Sequence, residues 1–253
     1  MSTHGNISFA PYIHGTYASG GIRPSYRAEY LTSFDAFQWN KLVLNARLGN
    51  TTLLGTGPRN SLRLDRIRYL LAPGLRYDFS SWYIQGIVHH ECIHTIDRPE
   101  EQYPGFDRGT VWWNSIRVAL GSKGANFLYL RDEYEKPLQS FFDSWDVQLT
   151  YGKYILAENT IITGQNHRYR HEVLSRLRYH FTPNSRLAAF FSLDQSFWVK
   201  SDQSTEQKWS GTVHLFLRGT ENFAGIFYTY HFFDTFSPDN EDGFGAIGFR
   251  IVF

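Results

Sequence analysis

The chain of 253 residues contains one cysteine, set in the run His89-His90-Glu91-Cys92-Ile93-His94. A thiol among imidazoles and a carboxylate suits two chemistries: attack by a base-assisted nucleophile, or ligation of a transition metal. His90-Glu91-Cys92-Ile93-His94 spells H-E-x-x-H, which binds zinc when it lies on a helix and positions i and i+4 stack one turn apart. Nothing around it has helical spacing. In an extended chain the two histidines lie ~13 Å apart, so a shared zinc fails on geometry. A lone cysteine also excludes an intramolecular disulfide and leaves a thiol free to react.

The element that must position these groups is a hairpin. SWYIQGIVHHECIHTIDRP leads through EEQYPGFDRG into TVWWNSIRVALG. Side chains alternate across a strand with period two. Trp82, Ile84, Gly86, Val88, His90 and Cys92 therefore share one surface, and Tyr83, Gln85, Ile87, His89 and Glu91 the other. In the second strand Trp112, Asn114, Ile116, Val118 and Leu120 oppose Trp113, Ser115, Arg117 and Ala119. The more apolar surface of each strand thus carries polar groups near one end: His90 and Cys92 on one, Asn114 on the next. A nucleophile, a base and an amide lie together on an apolar face.

The rest of the chain alternates in the same way. Clean period-two segments cover 144–152, 169–181, 187–193, 212–218 and 224–232, with others at 25–34, 39–49, 62–79 and 125–134. In 169–181, Tyr169, Val173, Leu177, Tyr179 and Phe181 form the apolar parity against Arg170, Glu172, Arg176, Arg178 and His180. Polar breaks such as 182–185, 200–208, 219–222 and 237–242 separate the segments. No helical period, repeat or low-complexity tract competes. Mean hydropathy is −0.38 and no run of 18 apolar residues exists, which excludes a membrane-spanning helix but not a membrane-spanning barrel. A formal charge of +1 makes no electrostatic case for nucleic acid.

Strands of about ten residues with Tyr and Trp near their ends predict a closed antiparallel transmembrane β-barrel. The count is 12 or 13, and single-chain barrels use even numbers, so 12 strands are expected in one domain over residues 1–253. Pro11 interrupts 6–18, which makes residues 1–22 the doubtful member, a segment that can stand outside the regular barrel. The ending GFGAIGFRIVF, with Ile247, Phe249 and Ile251 on one face and Phe253 last, resembles the C-terminal assembly signal of Gram-negative outer-membrane barrels. The resemblance places the chain in the bacterial outer membrane, as a mature form with its export signal removed and Met1 added. A soluble sandwich or lipocalin-like barrel is the alternative for the same strand pattern.

The hairpin itself resembles outer-membrane phospholipase A, a 12-stranded barrel in which one strand ends in His-x-Ser and the next supplies an Asn within a Trp-Asn pair. Here His90-Glu91-Cys92 stands in the place of His-x-Ser, and Trp113-Asn114 matches the pair. The resemblance implies that Cys92 attacks an ester carbonyl, His90 acts as base and Asn114 orients the imidazole, all on the lipid-facing surface. Cys-His-Asn is a known variant of the nucleophilic triad. The resemblance also implies calcium as a cofactor, although IDRPEEQYPGFDRG shows no counterpart of the family's calcium-binding loop residues. An alignment shifted by one residue would match His89-x-Glu91 and contain no nucleophile; the shared parity with Asn114 favours His90 and Cys92.

The expected partners are membrane lipids, with a second copy of the chain or an envelope-complex subunit as protein partner, and no nucleic acid. A structural role also accounts for these residues: small polar groups near a barrel rim often bond to loops or headgroups, and a lone Cys can be a small apolar filler. The barrel is then an anchor, an envelope subunit or a narrow channel. Arg176, Arg178, His180, Asp146, Gln148, His214, Arg218 and Arg250 fall on the inward parity. Paired charges from opposite walls would largely plug a lumen of this width, the alternative being a narrow solute path.

Overall fold

The computed structural model describes residues 2–14, 24–56, 62–95, 110–122, 145–160, 169–184, 186–218, 223–236 and 243–252. They form 12 strands: β1 (Ser2–His14), β2 (Pro24–Trp39), β3 (Leu42–Thr56), β4 (Leu62–Asp78), β5 (Trp82–Thr95), β6 (Thr110–Ser122), β7 (Trp145–Thr160), β8 (Tyr169–Asn184), β9 (Leu187–Lys200), β10 (Thr205–Arg218), β11 (Phe223–Asp234) and β12 (Gly245–Val252). Each pairs antiparallel with its sequence neighbours, and β1 pairs with β12 to close the barrel. Closure leaves no unpaired edge, which a sheet in lipid requires.

Period-two alternation sorts the side chains as expected. Val88, Ile116, Val118, Leu149 and Ile226 point outward and are about half exposed, as are their neighbours around the wall. A continuous apolar exterior of this extent is incompatible with water and suited to hydrocarbon. Inside, aromatic clusters pack towards both ends. Ile93, Trp113, Tyr169, Trp198 and Phe236 form one cluster, and Ala188, Phe190, Phe216, Phe223 and Val252 the other. Between them the wall is charged. Arg178, Glu172, Asp146 and His180 are all buried there, with the lumen-facing orientation read from the sequence.

Three sequence expectations change. Of the doubtful segment 1–22, residues 2–14 belong to the barrel: β1 supplies the closing register, Asn6↔Val252 to Phe9↔Phe249 on one side and Ser2↔Asp35 to Pro11↔Tyr26 on the other. Pro11 sits at the end of that second ladder, where a missing N–H costs least. Tyr169 turns inward instead of joining the apolar exterior. A register shift between Tyr169 and His171 adds one residue to β8, and a single extra residue reverses the parity of everything beyond it. The polar break at 200–208 shrinks to 201–204, because Thr205–Lys208 pair with Ser196–Val199. The expected segment at 125–134 and the terminal Phe253 lie outside the described residues.

Tight connections join β2 to β3 and β4 to β5. Asn40 has φ 53° at the first of them, a conformation Asn tolerates in two-residue hairpins. The connection from β5 to β6, residues 96–109, leaves from the opposite end of the barrel. His90, Cys92 and Asn114 stand near that end.

Candidate functional site

The site is held in place from behind. On the inward parity of β5 and β6, His89, Glu91, Trp113, Ser115 and Arg117 are engaged in the lumen. His89 Nε2 lies 2.9 Å from Glu91 Oε2, and Arg117 Nη1 donates to His89 Nδ1 at 2.7 Å. That second bond requires a neutral His89 whose Nε2–H donates to the Glu91 carboxylate. Glu91 also pairs with Arg68 on β4. Arg117 forks onto Glu172 through Nε and through Nη2 at 2.8 Å, and Tyr154 Oη donates to the same carboxylate at 2.8 Å. Trp113, 3% exposed, packs against Tyr169 and Phe236. With alternate residues clamped inside, His90, Cys92, His94 and Asn114 can only face outward. The register shifted by one, His89-x-Glu91, therefore lies on the lumen wall.

On the outer surface His90 and Asn114 are direct cross-strand partners. His90 Nδ1 lies 2.9 Å from Asn114 Oδ1. An amide oxygen only accepts, so the imidazole carries its proton on Nδ1 and leaves the Nε2 lone pair open. This is the orientation a general base needs. Cys92 is flanked by its register partners Tyr69 on β4 and Trp112 on β6. Its Sγ lies 3.3 Å from His94 Nε2, and no hydrogen bond joins it to His90 among the described residues. The His94 ring sits edge-on to Tyr69, centroids 5.7 Å apart. Two residues below His90 and Asn114 the wall becomes fully apolar, with Val88 57% and Ile116 52% exposed. The polar group thus begins where the lipid-facing belt ends.

The structure brings His90 to Asn114 and places Cys92 on the same face, two positions along. It adds His94, which the sequence singles out only for the zinc motif. The signal for it was present: His94 shares the parity of Cys92 at the next outward position. The zinc spelling dissolves because Glu91 faces the lumen while both histidines face out. A further local feature is the register shift between Asn114 and Ser115 in the β6–β7 pairing, which leaves Ile155 as an extra residue beside the site. Such bulges re-aim side chains at functional walls. Among the described residues no group of three or more His, Cys, Asp or Glu converges to hold a metal.

No protein-family model matches the sequence, and no curated protein matches it. Solved structures do. Outer membrane phospholipase A from Escherichia coli aligns over 99% of this chain and 89% of its own, at 10% identity and a TM-score of 0.54. The outer membrane phospholipase of Salmonella typhi, a dimer with bound calcium, aligns over 99% and 89%, at 12% identity and a TM-score of 0.52. At this identity the likeness is one of fold. The chain has the closed 12-strand outer-membrane β-barrel fold, with a lipid-facing exterior.

Proposed function

We propose that this barrel acts in the bacterial outer membrane as a lipid acyl-ester hydrolase of the phospholipase A kind, with Cys92, His90 and Asn114 as its reacting and orienting groups. The observation that carries the reading is the 2.9 Å contact between His90 Nδ1 and Asn114 Oδ1 on the lipid-facing wall, beside the chain's single thiol. Cys92 Sγ attacks the ester carbonyl and its proton passes to an imidazole. The acyl–oxygen bond breaks, the alcohol leaves with that proton, and an acyl thioester remains. Water then attacks the thioester with the imidazole as base, releasing fatty acid and restoring the thiol. Asn114 holds His90 in the tautomer that can accept the proton at Nε2. Cys92 rests against His94 in this geometry. A change of staggered rotamer at Cys92 is the motion that would bring His90 into play.

The rim position favours a substrate lying in the bilayer, since its acyl chains can rest on Val88 and Ile116 with the ester beside Cys92. The Salmonella typhi neighbour is a dimer with calcium, so a second copy of the chain is the partner to look for and calcium a condition to vary. The test is release of fatty acid from mixed phospholipid micelles by the refolded protein, with and without calcium, beside Cys92→Ala. Thiol-dependent release is the expected result. No release under either condition, from a barrel shown to be folded, would sink the hydrolase reading for those lipids.

A non-enzymatic role as a narrow channel is favoured by a separate observation. Among the described residues, cavities of about 280 and 500 Å³ lie between the barrel walls.

A further inference from the structure

The bulge in β8 gathers basic groups on the outer wall. Its register runs Tyr169↔Lys200 and then His171↔Val199, which leaves Arg170 as the extra residue. Tyr169 and Glu172 on either side are buried in the lumen, so Arg170 and His171 stand side by side on the outside. Lys153 joins them from β7 as the direct cross-strand partner of His171. Side chains of such partners start ~5 Å apart. Lys153 and Arg170 are exposed. His171 is held through Nδ1, 2.8 Å from Tyr151 Oη, with the two rings stacked at 5.9 Å. When the phenol donates to Nδ1, the ring proton lies on Nε2, where it can meet an acceptor. The adjacent carboxylate, Glu172, faces the other way and is taken up by Arg117 and Tyr154.

Below this cluster the outer wall is apolar. β7 continues with Tyr151, Leu149 and Val147, and β8 with Val173 and Leu177, all of them exposed. On the other side, the rung partner of Lys153 is Ile116 of β6. Lys153, Arg170 and His171 therefore cap an apolar column that faces hydrocarbon. Long basic side chains at such a border keep their stems on the apolar wall and carry the charge out to the headgroup level. Cations held there meet the acidic groups of lipids, and each one adds to the attraction. A guanidinium fork beside an ammonium and an imidazole N–H suits the oxygens of a phosphate.

We infer that Lys153, Arg170 and His171 form a binding site for the headgroup of an anionic phospholipid, whose acyl chains lie along the column headed by Tyr151 and Val173. The site is two strands around the wall from Cys92, so it stands or falls apart from the hydrolase reading. The test is mass spectrometry of the refolded full chain, released intact from detergent and titrated with phosphatidylglycerol or phosphatidylcholine. Matched in acyl chains, both lipids carry a phosphate, but only the first has a net charge. The first phosphatidylglycerol should bind about tenfold tighter than the first phosphatidylcholine. Joint replacement Lys153→Gln and Arg170→Gln, at two exposed positions, should abolish that preference. Lys41→Gln, which removes a cation from the β2–β3 turn, should keep it. Inorganic phosphate at matched ionic strength should leave the lipid bound, because it has no chains to rest on the wall. Equal affinity for the two lipids in the parent protein would overturn the proposal, even if the double variant failed to fold. An undiminished preference in the folded double variant would overturn it as well. Displacement by inorganic phosphate would assign the site to the free anion and sink the lipid.

Discussion

The two faces of the β5–β6 hairpin differ in how they hold polar groups. Inside, Glu172 receives Arg117, Tyr154 and Ser115 at once, and Glu91 receives His89 and Arg68. Outside, His90 has Asn114, and Cys92 has His94. The inner groups form a network in which Glu172, Glu91, His89 and Arg117 each meet two or more partners. The outer ones form no such web: His90 meets Asn114, and Cys92 meets His94 and the Tyr69 backbone, at the edge of an apolar belt. A satisfied network suits a role in holding the wall together, because removing one member strands the rest. A singly held imidazole with an open nitrogen suits chemistry, because it can change partners at little cost.

That contrast can be broken by substitution. Cys92→Ala should lower fatty-acid release by about 10³-fold or more with unfolding in urea unchanged; equal activity would place any hydrolysis elsewhere. Glu172→Gln should do the reverse. It leaves Arg117 without its carboxylate and should cost about 3–5 kcal/mol, read from denaturant unfolding of the refolded barrel in lipid vesicles. An unchanged midpoint would mean the inner network contributes little. His90→Ala should reduce release about 10²-fold, with His94→Ala having the smaller effect. The opposite ranking would make His94, the residue within reach of Sγ, the base. Val118→Lys puts a charge in the belt below the site and should cost about 2 kcal/mol of folding in lipid. No cost there would mean that this part of the wall does not face hydrocarbon.

Much of this is legible in the sequence alone. Alternation through Trp82–Cys92 and Trp112–Leu120 is enough to place His90, Cys92 and Asn114 on one apolar surface and His89, Glu91 and Arg117 on the other. The inward set Asp146, Arg176, Arg178 and His180 follows from the same rule. Tyr169 shows where the rule stops: a bulge leaves no mark in the pattern, and one inserted residue sends the aromatic ring into the lumen. β1 was obscured for a different reason. Pro11 weakens it as an isolated strand, but β2 and β12 supply its hydrogen bonds from both sides.

What the sequence determined by itself is the face each residue occupies, because side-chain direction along a strand depends only on the chain's own pleat. What the tertiary structure decided is who meets whom on that face. Asn114 lies 24 residues from His90 and reaches it only through the β5–β6 register. Arg47 meets Arg176 and Arg178 across the lumen only because β1 and β12 close the wall. Cys92 turning to His94 and not to His90, each two positions away along the strand, is a rotamer choice made between Tyr69 and Trp112. Register, closure and rotamer are set by neighbouring strands, and alternation within one strand carries no record of them.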